Sequence, residues 1–361
     1  MLSIELIQVA LGKRERLSRT PTAAEWKNIY QLGIGHTISG VLFRGVERLP
    51  KEQLPPRGII LKWFGLTERI RGQKTYIDEV MADFARLMQR EHIVYVVFKG
   101  LAVASQYQNP ALRIIGDIDF YVPKSDFARC LSVIETNLGV VVEKEDIDKH
   151  YAFDWRNVRF EMHYQMETFG RQRHQRYFGR LVDDGIMLSD DTFEVDGARV
   201  AMLPPMIDLM LVFKHWMGHY IGEGIGLRQT IDLAVLIEVY RDHLDVEALK
   251  RHLSAIGYLK AFDAVVALVE RYFRTPWPEY WERGIASLKK GKAFRYADML
   301  MADVIKNGNF GRSDYKYKRG TMKRVETTWR FLRHCSKCLP LAFTEMVCML
   351  PKRINISIKA H

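Results

Sequence analysis

Cysteine is scarce in this sequence, and long apolar runs are missing from it. Only four cysteines occur among 361 residues. They are too few and too unevenly spaced for a disulfide framework, and Cys335-x-x-Cys338 lacks the second pair of a typical zinc site. No apolar run reaches the roughly 18 residues that a membrane-spanning helix requires. The basic cluster near the start follows the first apolar residues, the reverse of a secretory signal. These absences predict a cytoplasmic protein with no transmembrane segment.

Positive charge, in contrast, is in excess and unevenly distributed. The formal net charge is +11, and residues 312–361 alone contain 12 Lys or Arg against 3 Asp or Glu. Such a segment can bind nucleic acid, an anionic lipid or an acidic partner, or it can be a solvated face. Hydrophobic residues make up 48% of the chain, which is typical of a globular protein that buries a core.

One stretch carries most of the chemistry that the sequence offers. Residues 93–98 are β-branched and aromatic, and they predict a buried strand that turns at Lys99-Gly100 into a helix. Asp117 and Asp119 then alternate with apolar residues, so on a strand both carboxylates would share one face. Adjacent carboxylates repel each other unless a positive charge lies between them. Because Mg²⁺ prefers oxygen ligands, the pair predicts a metal-bound nucleoside triphosphate; two surface acids are the alternative.

These residues resemble a known superfamily. They are similar to the motifs of polymerase-β-type nucleotidyltransferases. The matching residues are Lys99-Gly100, then Arg113, then the run 116–122 (Gly-Asp-Ile-Asp-Phe-Tyr-Val). Within that superfamily they look most like the bacterial group of uncharacterised nucleotidyltransferases. Lys99-Gly100 stands where the superfamily usually has Gly-Gly or Gly-Ser. The resemblance implies Mg²⁺ or Mn²⁺, two ions in all, and an NTP such as ATP as substrate.

Members of the superfamily have a third carboxylate on a later strand. Two strands are predicted to meet at the turn Arg156-Asn157, and in the second of them Glu161 and His163 face the same way. Glu161 lies 42 residues after the second Asp, which leaves room for a helix and a returning strand. It is our candidate, with Asp154 as the alternative. His163 is predicted to orient a substrate or a metal-bound water, or to serve only the fold.

The resemblance also implies which residues contact the nucleotide. A second signature of the bacterial group, a glycine-rich run followed by Leu-Arg-Gln and Asp, occurs at 222–232. The implied nucleotide-binding residues are Lys99, Gly100, Arg113, Gly116, Lys214, Arg228 and Asp232. The last three are implied to line the cleft that faces the carboxylates. Alternatively, the basic residues near the Asp pair only neutralise it, and Arg228 and Asp232 only fix a helix entrance.

The expected fold is α+β. A small mixed β-sheet nucleotidyltransferase core is predicted at 91–203, preceded by a helical lead-in at 1–90. A helical domain at 204–310 and a basic C-terminal segment at 311–361 follow. Inside the core, 167–203 is predicted to be rich in loops, with four arginines before a hairpin at Asp196-Gly197.

The predicted function is metal-dependent transfer of a nucleoside monophosphate from an NTP to an acceptor hydroxyl, with release of pyrophosphate. Asp117, Asp119 and Glu161 are the predicted catalytic and metal-binding residues, and Glu161 is expected to take the proton of the attacking oxygen. The acceptor stays open between a small molecule, a protein side chain and an RNA end. The alternative is a non-catalytic binding module that uses its basic C-terminal surface for nucleic acid, anionic lipid or protein. Phosphoryl transfer from the same site is a third hypothesis.

Overall fold

The chain forms two compact units. The computed structural model describes residues 1–146, 150–222, 224–277, 287–308 and 331–349. The sheet unit consists of the described residues of Glu68–Thr168 and Gln175–Leu211. The helical unit consists of the described residues of Met1–Thr67, Phe169–His174 and Val212–His361.

The described residues form helices and short strands, as an α+β fold requires. The strands are β1 (Val96–Phe98), β2 (Ile118–Tyr121), β3 (Glu143–Asp146), β4 (His150–Trp155), β5 (Val158–His163), β6 (Thr192–Val195) and β7 (Ala198–Ala201). The helices are α1 (Leu2–Ala10), α2 (Ala23–Gly35), α3 (Ser39–Arg48), α4 (Arg57–Arg90), α5 (Gly100–Ser105), α6 (Lys124–Leu138), α7 (Gln172–Leu188), α8 (Pro205–Gly222), α9 (Leu227–Tyr240), α10 (Val246–Ala255), α11 (Leu259–Phe273), α12 (Lys290–Asn307) and α13 (residues 331–349). Within these ranges no helix is long and apolar enough to cross a membrane.

The main sheet is mixed, which confirms the predicted fold class. Its strand order is β1-β2-β5-β4-β3. The central pair, β2 and β5, is parallel, whereas the other neighbours are antiparallel. The turn between β4 and β5 lies at Arg156 and Asn157, as predicted, and both residues have positive φ angles. A second, two-stranded sheet pairs β6 with β7.

An aromatic cluster covers one face of the main sheet. Phe84 of α4 lies 5.1 Å from Phe120 and 4.9 Å from Phe160, measured between ring centroids. Phe153 stacks on Phe160 at 5.0 Å. Each such aromatic pair adds about 0.5–1.5 kcal/mol beyond the burial of its area. Because side chains alternate along a strand, this core directs the intervening residues of β2 and β5 to the opposite face.

The prediction that residues 167–203 are rich in loops is wrong for the first half of that range. The long helix α7 occupies residues 172–188, and the four arginines of that stretch lie on it or directly before it. Phe178 and Val182, four residues apart, are buried and give the helix its inner side. Gly185 lies on this helix next to the Ile207 side chain, where a Cβ would overlap Ile207 Cδ1. The hairpin at Asp196-Gly197 is confirmed.

In the helical unit, α1 packs against α3, and α11 packs against α9 and α12. Helix α13 buries one side, including Cys338, Leu341 and Met346. Its other side exposes Phe343 and Val347. Most of the basic segment, residues 311–330 and 350–361, lies outside the described residues.

Candidate active site

Pairing of β2 with β5 brings together two of the predicted carboxylates. Asp119 lies directly opposite Glu161 in the parallel register. Both side chains belong to the face of the sheet that points away from the aromatic cluster, because Phe120 and Phe160 occupy the core face. Asp119 is buried and Glu161 is half-buried. Two acids far apart in sequence are therefore neighbours on rigid strands.

Lys99 compensates part of this negative charge. Its Nζ lies 3.1 Å from Asp119 Oδ1. Burial lowers the pKa of Lys99, but the charges of Asp119 and the buried Glu167 outweigh burial and raise it overall. The lysine therefore stays protonated. The contact supports the alternative that Lys99 neutralises the acids; a phosphate contact stays a prediction.

The turn that presents Lys99 is tightly packed. Lys99 has φ 56° and ψ −128°, which a lysine rarely adopts. A Cβ at Gly100 would lie 3.2 Å from the Asp117 carbonyl oxygen and 3.7 Å from Arg113 Nη1. Glycine at position 100 thus lets the start of α5 approach the residue before β2. Arg113 is buried and Gly116 is exposed beside Asp117.

The pKa of Asp117 reflects both its burial and the acids around it. It lies immediately before β2 and is half-buried. Burial, together with the charges of Asp119 and Glu161, raises the pKa of Asp117 to about 6, against a weaker opposing effect of Lys99. Lys99 therefore offsets only part of the combined effect of burial and of the two other carboxylates on Asp117.

His163 connects Asp119 and Glu161. Its Nε2 lies 2.9 Å from Asp119 Oδ1 and 3.4 Å from Glu161 Oε2. The prediction that Glu161 and His163 share a face is therefore confirmed. Burial raises the pKa of Glu161, but the hydrogen bond from His163 and the charges of His150 and His163 outweigh it, so the net pKa is lowered. Glu161 is consequently ionised at neutral pH.

Sequence reasoning missed His150. This residue lies on β4 directly opposite His163, and its Nε2 is 3.7 Å from Glu161 Oε2. The sequence contains the information needed to find it. A two-residue turn at Arg156-Asn157 determines the register of the two strands, and that register pairs residue 150 with residue 163. The ligand atoms of His150, Glu161 and His163 all lie within 4.8 Å of one another.

The alternative third carboxylate, Asp154, has a different environment. It lies opposite Arg159 in the β4–β5 hairpin, and their side chains form an ion pair at 2.9 Å. The Asp154 side chain is 66% exposed. Asp154 therefore forms a surface ion pair, whereas Glu161 lies beside Asp119.

The remaining predicted residues belong to the helical unit. Lys214 of α8 is buried, and its Nζ lies 5.0 Å from the Phe169 ring centroid and 5.7 Å from that of Tyr258. Arg228 and Asp232 lie in the first turns of α9, where Asp232 is buried. Their role in binding the nucleotide stays a prediction.

A family model and two crystal structures are similar to this chain. A family model described as uncharacterised nucleotidyltransferase matches residues 22–274. No curated protein matches the sequence. A crystal structure of an antigenic nucleotidyltransferase-like protein from Paracoccidioides brasiliensis is 14% identical, with a TM-score of 0.36 over 60% of this chain and 96% of that one. The crystal structure of JHP933 from Helicobacter pylori is 13% identical, with a TM-score of 0.29 over 72% of this chain and 98% of that one.

Proposed function

Since this chain belongs to the family of uncharacterised nucleotidyltransferases, we propose that it transfers a nucleoside monophosphate from an NTP to an acceptor hydroxyl. Pyrophosphate is the leaving group. The observation that carries the proposal is the group of three carboxylates, Asp117, Asp119 and Glu161: Asp119 lies directly opposite Glu161 in the sheet, and burial together with the charges of Asp119 and Glu161 raises the pKa of Asp117 to about 6. A buried excess of negative charge of this kind favours a bound cation.

The residues fit divalent cations. Asp117, Asp119 and Glu161 would hold Mg²⁺ or Mn²⁺, because oxygen donors suit both ions. When bound, such ions neutralise the triphosphate and polarise the reacting phosphoryl group. The sheet holds Asp119 and Glu161 opposite each other, and the turn at Gly100 packs against the backbone of Asp117, so little ordering of the backbone is needed when a ligand binds.

The protein's own groups then have distinct roles. The acceptor oxygen attacks the α-phosphorus, the bond to the bridging oxygen of the leaving pyrophosphate breaks, and the hydroxyl proton passes to Glu161. Glu161 can accept that proton because its pKa is lowered and it is ionised at neutral pH. His163 orients both Asp119 and Glu161 through its Nε2. Lys99 holds Asp119 in place.

Calorimetric titration tests the nucleotide site before any acceptor is known. ATP, GTP, CTP and UTP are titrated with Mg²⁺ or Mn²⁺ into the wild type and into the Asp117→Asn, Asp119→Asn double variant. We expect metal-dependent binding of at least one nucleotide that is lost in the double variant. Asp154→Asn is the matched control, because it makes the same chemical change in a surface ion pair. Binding that survives in the double variant would refute the site.

Product analysis then distinguishes the reactions. With candidate acceptors, release of pyrophosphate supports nucleotidyl transfer, whereas release of a nucleoside diphosphate indicates phosphoryl transfer. Near-ultraviolet circular dichroism of each variant confirms that loss of activity does not reflect unfolding.

One observation favours a second candidate function, a non-catalytic binding module. Lys99 and His163 both contact Asp119, so the acids are partly compensated by groups of the fold itself. In that case the basic C-terminal segment would be the working surface for an anionic partner. Binding to RNA or anionic vesicles that falls steeply with salt, and is unchanged in the double variant, would support this function.

A further inference from the structure

A second group of ligand atoms lies next to the carboxylates, at the end of the β4–β5 hairpin. Glu161 Oε2 lies 3.4 Å from His163 Nε2 and 3.7 Å from His150 Nε2. One ligand atom from each of the three residues lies within 4.8 Å of the other two. Two of the donors are imidazole nitrogens, which distinguishes this group from the oxygen-only set of Asp117 and Asp119.

We propose that His150, Glu161 and His163 form a binding site for a divalent transition-metal ion of the Zn²⁺ class. Ligands about 2.0–2.1 Å from a tetrahedral ion lie about 3.4 Å from one another. The two measured distances to Glu161 are close to this separation. Asp119 Oδ1, 2.9 Å from His163 Nε2, is the nearest candidate for a fourth ligand.

The fold holds the three ligands in place. His150 and His163 are directly opposite each other on antiparallel strands, and their ring centroids are 4.9 Å apart. Glu161 is on the same strand as His163, two residues before it, so both face the same way. The site is also accessible, because the His150 and Glu161 side chains are 15% and 21% exposed. An ion can therefore reach donors that are already arranged.

Donor chemistry determines which ion this group selects. Imidazole nitrogen suits Zn²⁺, Cu²⁺, Ni²⁺ and Fe²⁺, whereas carboxylate oxygens and water suit Mg²⁺. The cluster should therefore prefer Zn²⁺ strongly over Mg²⁺. Glu161 belongs to both ligand sets, so an ion here would lie directly beside the proposed catalytic cation. The inference goes beyond the proposed transfer reaction, since the cluster can be tested with no nucleotide present.

The test uses the full chain, stripped of metal with a chelator that is then removed. Zn²⁺ is titrated by calorimetry, and Co²⁺ is titrated by visible absorption, which reports nitrogen and oxygen ligation directly. We expect one tight Zn²⁺ per chain in the wild type. His150→Ala should weaken its binding by at least about 100-fold, since loss of an outer-shell partner alone costs about 10–100-fold.

Two further variants test whether a loss of Zn²⁺ binding is caused by unfolding or by removal of any histidine. His150→Gln keeps a polar side chain of similar size, and it should also lose tight binding while its near-ultraviolet circular dichroism stays that of the wild type. His215→Ala alters another close histidine pair, His215 with His219, whose ring centroids are 4.4 Å apart. That variant should bind Zn²⁺ like the wild type. No tight binding in the wild type, retained binding in both His150 variants, or loss in His215→Ala would each overturn the proposal.

One further variant, Asp117→Asn, distinguishes the proposed Zn²⁺ site from the proposed nucleotide site. Asp117→Asn lies outside the three-residue cluster, so it should retain Zn²⁺ binding and the Co²⁺ spectrum even though it removes a ligand of the nucleotide-bound metal. Failure of nucleotide binding in the wild type would leave the Zn²⁺ result unaffected. Loss of Zn²⁺ binding in Asp117→Asn would overturn the assignment to His150, Glu161 and His163.

Discussion

Asp117→Asn should stabilise the metal-free protein although it removes a residue of the proposed active site. Burial and the charges of Asp119 and Glu161 raise the pKa of Asp117 from 3.8 to about 6. Each tenfold change in proton affinity corresponds to about 1.36 kcal/mol, so the ionised carboxylate costs the folded state up to about 3 kcal/mol at pH 7. Asn has nearly the same shape and carries no charge. Because Asp117 is partly exposed, we expect a gain of about 1–3 kcal/mol in the free energy of unfolding.

The predicted gain in stability should depend on pH in a definite direction. Between about pH 6 and pH 3.8 the native Asp117 binds a proton that the unfolded chain does not yet bind. The cost of its charge is therefore fully present above pH 6 and fades as the pH falls toward 3.8. The difference in unfolding free energy between variant and wild type should shrink in that range. Taking the difference cancels the titrating groups that do not interact with Asp117, whereas Asp119, Glu161 and Lys99 titrate jointly with it.

Urea unfolding in the presence of a chelator, at several pH values between 4 and 7, is the assay. Glu161→Gln is a control of opposite sign, because the net pKa of Glu161 is lowered and its charge is stabilising. That variant should be less stable than the wild type at pH 7. An Asp117→Asn protein that is no more stable than the wild type at pH 7, or a difference that does not change with pH, would refute the reasoning.

Three further perturbations test other parts of the fold. Lys99→Met removes the ammonium 3.1 Å from the buried Asp119, and urea unfolding should show a loss of about 3–5 kcal/mol; an unchanged midpoint would contradict the ion pair. Burial lowers the pKa of His36 from 6.5 to about 4, and its Nδ1 accepts the Leu227 N–H at 3.1 Å. Since only the unfolded chain binds this proton between those pH values, stability should fall by up to about 3 kcal/mol as the pH drops from 6.5 to 4. A His36→Asn variant that shows the same pH-dependent loss would count against that assignment. Glu345 is buried and accepts two backbone N–H groups at 2.6 and 3.2 Å. Thermal unfolding should show that Glu345→Gln lowers the free energy of unfolding by about 1.5–3 kcal/mol. A variant that melts at the same temperature as the wild type would disprove this.

Local patterns in the sequence determined which way the key side chains face. Alternation along β2 placed its apolar residues in the core and Asp119 on the other face, and alternation along β5 did the same for Glu161. The turn at Arg156-Asn157 likewise determines the register of β4 against β5. These inferences succeed because side-chain direction on a strand and the register of a tight hairpin depend only on neighbouring residues. The same local information was insufficient for α7, which was predicted to be rich in loops although Phe178 and Val182 lie four residues apart on its buried side.

Only the tertiary structure decided how the acids meet their partners. Parallel pairing of β2 with β5 joins residues about 40 positions apart, and its register depends on the whole aromatic core rather than on any local motif. That register places Asp119 between Lys99 and His163. It also leaves Asp117 with more negative charge nearby than one lysine compensates. Residue types and faces are local properties of the chain, whereas distances, burial and pKa values arise from contacts between segments that are distant in sequence.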